Sequence, residues 1–140
     1  MRAYFSRRYR FSASHRLHSD SYSETENQKT YGKCNNPHGH GHNYIVEVTT
    51  GGQVDAQTGM VCDLVKLDDA VRKNVVERFD LTNLNLDECF RKLVPTTENL
   101  CIAIHERLMP VFQSGVLGQV DLVRVRVEET ANNFFEFTGK

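Results

Sequence analysis

The chain has 140 residues, with 17 basic and 18 acidic side chains and a formal net charge of −1. This balance argues against a nucleic-acid-binding protein, which would carry a basic surface, and no apolar run approaches the length of a membrane span. We expect one domain spanning residues 1–140, and a soluble cytoplasmic protein whose four scattered cysteines stay reduced, because the start does not resemble a signal peptide.

Alternation over residues 9–17 predicts a first, half-buried strand with His15 on its apolar face. The polar stretch 19–33 lacks periodicity and is expected to be a loop. A second strand is predicted over residues 40–50, with His40 and His42 in phase with apolar positions. The dipeptide Gly51-Gly52 is expected to interrupt it, and a turn should follow at residues 55–59.

Helical spacing predicts a helix over residues 64–78, begun by Asp63 as N-cap. A polar loop follows at 80–88, and a second helix is expected to start beyond Thr96 and to end at Pro110. Residues 120–129 and 134–137 are predicted strands. The order indicates an α+β fold in which two helices cover one face of a four-stranded antiparallel sheet. Its two open edges favour assembly into an oligomer.

Three histidines occupy apolar-phase strand positions: His15, His40 and His42. A lone histidine there is more often a hydrogen-bonded core residue. Residues two apart on a strand project to the same side, so His40 and His42 point together, and a neighbouring strand can add His15. Three imidazoles with an open fourth position are typical of catalytic zinc, whereas closure by Cys34 would make a structural site.

Two further residues offer chemistry with open alternatives. Cys34 follows Lys33, and a neighbouring cation or metal favours the thiolate, a nucleophile or base; the other interpretation is an ordinary loop cysteine. Glu129 continues the apolar phase of its strand, so its carboxylate lies either at the solvent rim or in a pocket. In a pocket it can accept paired hydrogen bonds from an amidine-like edge.

Six motifs are spread in order over nearly the whole chain: FSASHRL at 11–17, GKCNNP at 32–37, GHGHNY at 39–44, TGMV at 58–61, PTTEN at 95–99 and ETANN at 129–133. Together they resemble the family of the 6-pyruvoyl tetrahydropterin synthases and the 6-carboxytetrahydropterin synthases of queuosine biosynthesis. The Cys34-Asn35-Asn36-Pro37 run is closer to the pyruvoyl branch.

The resemblance implies a tunnelling fold, in which subunits join their sheets into a trimeric barrel and two trimers stack as a hexamer. It implies zinc held by His15, His40 and His42, and a pterin ring anchored by Glu129, which also takes part in proton transfer. Residues Thr96, Thr97 and Glu98 would lie near the pterin, with Cys34 as general base. The implied reaction is a lyase reaction that converts 7,8-dihydroneopterin triphosphate to 6-pyruvoyl tetrahydropterin with loss of triphosphate, without an external redox cofactor.

The sequence departs from the family at one position. The family carries an Asp-His pair, whose histidine forms a relay with the cysteine; here Asp80 is present and Leu81 replaces the histidine. Either Cys34 acts without the relay, or another histidine (His38, less well His105) substitutes. Otherwise the protein catalyses side-chain cleavage or the carboxy-type conversion, or is a relay-deficient pterin- or zinc-binding protein. Only Lys33 and Arg16 suggest themselves for the triphosphate.

Overall fold

Five strands form one sheet in the order β3-β1-β2-β4-β5 in the computed structural model, which describes residues 1–140. The strands are β1 (Arg2–His15), β2 (His40–Gln53), β3 (Thr82–Asn83), β4 (Val120–Thr130) and β5 (Asn133–Phe137). The four long strands are antiparallel, as predicted. The predicted strand count is wrong by one, because residues 82–83 of the expected loop pair in parallel with β1.

The helices are α1 (Glu24–Tyr31), α2 (Leu64–Val71), α3 (Glu77–Phe79) and α4 (Thr97–Gln113). A π turn over Arg72–Val76 joins α2 to α3, so the predicted helix over 64–78 is present with one widened turn. The predicted Asp63 cap is confirmed, since Asp63 accepts from the Lys66 N–H. A threonine caps α4 as expected, and of the two adjacent threonines it is Thr96, which accepts from the Asn99 N–H.

Helix α1 lies where a loop was expected. Ser23 and Glu26 form a capping box, in which each side chain accepts from the other residue's backbone N–H. Asn27 is the only buried residue of the helix, and its amide donates to the carbonyls of Ser19, Tyr22 and Ser23. The helix is therefore held by polar contacts and has no apolar stripe that periodicity could detect.

Helices α2 and α4 cover one face of the sheet, and their buried residues join those of the strands in one core of 23 side chains. The Phe11 ring stacks on Tyr44 at 5.2 Å between centroids and contacts Phe79 at 5.9 Å. Helix α4 continues past Pro110, which was expected to end it, since proline near a helix end removes only one intrahelical hydrogen bond.

Strand β2 runs through Gly51-Gly52, where an interruption was expected. A Cβ at Gly51 would lie 2.8 Å from Arg2 Nη2 and 2.9 Å from Val123 Cγ2. Glycine is therefore needed here for close packing across the sheet, and it does not terminate the strand.

The second face of the sheet is polar and carries cross-strand ion pairs. Arg124 contacts Glu47 at 3.1 Å and Glu136 at 3.3 Å, and the Arg126 guanidinium lies 3.6 Å from the centre of the Phe134 ring. None of the helices combines the length and the apolar surface that crossing a bilayer requires.

Candidate active site

The three histidines meet where β1 ends and β2 begins. His15 pairs directly with His40, and Ala13 with His42, in the antiparallel register. The rings lie 4.7–5.1 Å apart between centroids, each pair edge to face. The cluster predicted from strand phase is therefore present as a spatial group.

The nitrogen and oxygen atoms of this cluster have the spacing of a tetrahedral metal site. His15 Nε2 lies 3.2 Å from His40 Nε2, and Glu129 Oε1 lies 3.1 Å from His42 Nε2 and 3.6 Å from His15 Nε2. Zinc bonded at about 2.0–2.1 Å in tetrahedral geometry separates its ligand atoms by about 3.3–3.4 Å. All four ligand atoms lie within 4.8 Å of one another, so the donor set fits an ion of this size.

A backbone carbonyl orients the first imidazole. His15 Nδ1 lies 2.8 Å from the carbonyl oxygen of Pro95. Because a carbonyl only accepts, Nδ1 carries the proton and Nε2 presents its lone pair to the other two histidines. The Tyr44 hydroxyl lies 3.4 Å from the same Nδ1, so this buried ring is held from two sides.

The cluster favours neutral imidazoles. Burial lowers the pKa of both His15 and His42 below the usual value for histidine. His42 Nε2 is buried and lies 3.1 Å from Glu129 Oε1, but the angles of this contact are not those of a hydrogen bond, so the nitrogen stays available to a ligand. Neutral rings with an unshared lone pair are the form that binds a metal.

Glu129 reaches the cluster from a β-bulge. The β4–β5 register shifts between Glu128 and Thr130, so Glu129 has no partner on β5, and its side chain keeps the phase of buried Val125 and Val127 and reaches His42. Its second oxygen, Oε2, accepts a hydrogen bond from Asn133 Nδ2 at 3.0 Å. The carboxylate is only 15% exposed and lies against the histidine cluster, not at the solvent rim.

Cys34 lies in a short 3-10 turn (Gly32–Asn35) beside the cluster. The turn is tied to the end of β1, because Leu17 N–H donates to the Cys34 carbonyl at 2.8 Å and the buried Asn35 amide donates to the Leu17 carbonyl at 2.7 Å. Cys34 and His40 line the same groove of about 760 Å³. Burial, followed by the Glu129 charge, raises the pKa of the thiol, so the chain alone favours the protonated form.

The first turn of α4 adds polar groups next to Tyr44. The Thr96 hydroxyl is used as the helix cap, whereas Thr97 is buried and its hydroxyl lies beside that of Tyr44. Glu98 is exposed at the helix start. The Pro95 carbonyl fixes this turn relative to His15.

The family model described as 6-pyruvoyl tetrahydropterin synthase matches residues 4–140. The chain belongs to this family. The 6-pyruvoyl tetrahydrobiopterin synthase of Homo sapiens is 45% identical over 139 residues, covering 99% of this chain and 92% of that protein. The structure of Caenorhabditis elegans 6-pyruvoyl tetrahydropterin synthase superposes with a TM-score of 0.91 at 41% identity, covering 100% and 97% of the two chains.

The carboxy branch is more distant. The 6-carboxy-5,6,7,8-tetrahydropterin synthase of Aquifex aeolicus is 27% identical, with 94% of this chain and 95% of that protein covered. The expected resemblance to the pterin synthase family is thus confirmed, and with it the tunnelling-fold class of the subunit.

Asp80 and Leu81, where the resemblance expects an Asp-His pair, are both bonded to Ser12 of β1, and neither belongs to the group of possible metal ligands. Asp80 Oδ1 accepts from the Ser12 N–H at 2.9 Å, and Leu81 N–H donates to the Ser12 carbonyl at 2.6 Å. The Leu81 side chain is 85% exposed, and its backbone has a φ of 58°, unusual for leucine. Within one subunit, Asp80 therefore anchors the loop before β3.

Two alternative relay histidines occupy different surroundings. His38 is exposed beside Pro37, whereas His105 is buried on α4 with its ring 4.9 Å from that of Phe137. Sequence reasoning missed the Pro95 carbonyl and Asn133 as partners of His15 and Glu129. No sequence pattern predicts which backbone carbonyl will accept a hydrogen bond from an imidazole. Asn133 could have been suggested, because it follows Glu129 closely enough for a turn to bring the two together.

Proposed function

We propose that this chain is a zinc-dependent lyase that converts 7,8-dihydroneopterin triphosphate to 6-pyruvoyl tetrahydropterin with release of triphosphate. One observation carries the proposal. Four side chains that can bind a metal lie with their ligand atoms within 4.8 Å of one another: His15, His40, His42 and Glu129. They do so in a chain that is 45% identical to the 6-pyruvoyl tetrahydrobiopterin synthase of Homo sapiens.

The three histidines would hold the zinc ion, and the distances among their nitrogens support this assignment. Bound zinc would supply Lewis-acid polarisation of the substrate's side-chain oxygens, which makes the adjacent C–H groups acidic. The Pro95 carbonyl has a positioning role, since it holds the His15 tautomer whose Nε2 is free to bind.

Glu129 would anchor the pterin ring. A carboxylate accepts two parallel hydrogen bonds, and the 2-amino and N3–H groups of a pterin present two parallel donors. Asn133 fixes one of its oxygens. The first turn of α4, with Thr96, Thr97 and Glu98, would supply further polar groups, and the Thr97 hydroxyl lies beside that of Tyr44.

Cys34 would move protons between carbons of the substrate side chain, so that triphosphate leaves and an internal redox shift forms the two carbonyl groups. Burial raises the pKa of the Cys34 thiol, and a zinc ion held by the neighbouring histidines would supply positive charge that favours the thiolate. Asp80 would contribute only as an anchor of its loop, because its carboxylate is engaged by Ser12.

Leu81 is the residue that favours a second candidate function. Its hydrocarbon side chain cannot carry a proton, so a relay from Cys34 needs another group, and His38 is better exposed for this than His105. Without a substitute, the chain would catalyse a related conversion of the same pterin, either side-chain cleavage or the carboxy-type reaction, or would bind pterin and zinc without turnover.

The assembly we propose is a hexamer built from two trimeric barrels. Strands β3 and β5 leave both edges of the sheet unpaired, and apolar side chains are exposed at each. Leu81 and Leu86 are 85% and 82% exposed near the β3 edge, and Phe134 is 49% exposed on β5. Pairing of these edges between subunits would satisfy their backbone hydrogen bonds and cover the exposed apolar side chains.

The test is incubation of the zinc-loaded protein with 7,8-dihydroneopterin triphosphate, with and without acetaldehyde as a trap, followed by mass analysis of the products. We expect 6-pyruvoyl tetrahydropterin and one triphosphate per turnover. A carboxy product, a shortened side chain, or unchanged substrate would each refute the pyruvoyl assignment and identify the alternative.

A further inference from the structure

A small polar pocket adjoins the candidate metal centre. It has a volume of about 210 Å³ and no hydrophobic or acidic residue in its lining. It shares His15 with the histidine cluster and Pro37 with the Cys34 groove. The His15 side chain is fully buried, so the pocket meets the cluster along the backbone at the end of β1 and meets the Cys34 groove at Pro37.

Arg16 is rigidly placed in its wall. The Asn85 side chain accepts from the backbone N–H of Arg16 at 2.7 Å and donates to its carbonyl at 2.9 Å. These two hydrogen bonds fix the backbone of Arg16. The Arg16 Nε donates to the Asn35 carbonyl at 3.2 Å. The guanidinium is held by this one hydrogen bond, and no carboxylate of the chain pairs with it.

The other polar groups of the pocket have unused donors. The Ser14 hydroxyl and the His38 ring form no side-chain hydrogen bond within the chain, and Asn83 uses only its oxygen, which accepts from the Asn85 N–H. A half-buried guanidinium among free neutral donors, without a competing acid, has the composition of a phosphate site.

We infer that this pocket binds the triphosphate of the substrate, with Arg16 as its principal contact and Ser14, His38 and Asn83 as additional donors. The inference rests on the proposed function for the identity of the substrate. Lys33, the other cation near the site, lines the Cys34 groove and not this pocket. It is therefore the alternative residue for binding the triphosphate.

The test compares Arg16→Gln, Arg16→Lys and Lys33→Gln, with Arg10→Gln as the control. Arg10 is exposed on the polar face of the sheet and also lacks a carboxylate partner. Glutamine at position 16 retains a donor for the Asn35 carbonyl. Inorganic triphosphate is titrated calorimetrically into each zinc-loaded protein, with zinc content checked afterwards. The affinity for unphosphorylated dihydroneopterin and the KM for the triphosphate substrate are also measured.

We expect Arg16→Gln to weaken triphosphate binding and to raise KM by about 10- to 100-fold, the loss typical of charge-assisted hydrogen bonds to phosphate. Arg16→Lys should lose part of this, and dihydroneopterin affinity should not change. Unaltered triphosphate binding in Arg16→Gln, a larger loss in Lys33→Gln, or a parallel loss of dihydroneopterin affinity would overturn the inference. If the wild-type protein binds triphosphate through Arg16 but does not turn over the substrate, the proposed function fails and the pocket stands.

Discussion

Replacing Glu129 by glutamine separates its two possible duties, metal ligand and pterin anchor. The substitution keeps the side-chain size but replaces one acceptor oxygen with an NH₂ donor and removes the charge. In the wild-type site, Oε1 lies 3.1 Å from His42 Nε2 and Oε2 accepts from Asn133. We expect the variant to keep zinc, because three imidazole nitrogens remain, and to lose pterin affinity.

The magnitude follows from the hydrogen bonds that a carboxylate makes to the pterin edge. Hydrogen bonds to a charged group contribute about 1.5–3 kcal/mol each, and the new NH₂ opposes a donor of the ring. The loss should be about 3 kcal/mol, roughly 150-fold in the dissociation constant of dihydroneopterin. Zinc affinity, measured by competition with a chromophoric chelator, should change by less than about 10-fold, the lower limit for loss of a partner outside the ligand set.

Glu128→Gln is the matched control, since it makes the same chemical change one residue away, where Glu128 pairs with Arg126 at 3.2 Å. This control should leave both affinities unchanged. If Glu129→Gln abolishes zinc binding, or if pterin affinity survives, the division of roles between the histidines and Glu129 is wrong.

Three further substitutions probe separate features. Cys34→Ala should abolish turnover while zinc content and dihydroneopterin binding persist; full activity would remove Cys34 from the mechanism. Leu81→Gly should stabilise the fold by about 0.5–1 kcal/mol, because leucine at a φ of 58° is strained and its side chain is exposed; a lower melting temperature would contradict this. Asp87→Asn should cost about 2 kcal/mol in urea unfolding at pH 7, because Arg78 donates two hydrogen bonds to this partly buried carboxylate. Burial acts to raise the pKa of Asp87, but the hydrogen bonds from Arg78 and Cys89 outweigh it and hold the pKa below its usual value. Its contribution is therefore complete above the unfolded pKa of about 3.9 and is lost as pH falls through the lower folded value. A difference from the wild type that persists unchanged at the lowest pH would refute this.

The histidine cluster was predictable because strand phase is a local property. His40 and His42 share a side by their spacing, and an apolar His15 on the preceding strand needs only antiparallel pairing to join them. The register, which places His15 directly opposite His40, is set by packing along the whole of β1 and β2. Sequence alone could not supply it.

The missed elements share one physical cause, which is that their stability comes from contacts and not from periodicity. Helix α1 depends on a capping box and a buried Asn27, and the continuation of β2 depends on the space that Gly51 leaves for its neighbours. Strand β3 forms because the backbone of Thr82 and Asn83 pairs with β1. Each needs the tertiary structure before it has a reason to form.

The hydrogen bond from His15 to the Pro95 carbonyl links the proposed metal centre to the start of α4. One end of it orients an imidazole of the proposed metal centre, and the other lies one residue before the cap of α4, where the proposed pterin contacts begin. A shift of the helix start on binding pterin would therefore move the His15 imidazole, and a shift of the imidazole on binding zinc would move the helix start. Thermodynamic reciprocity then requires that zinc and pterin change each other's affinity by the same factor.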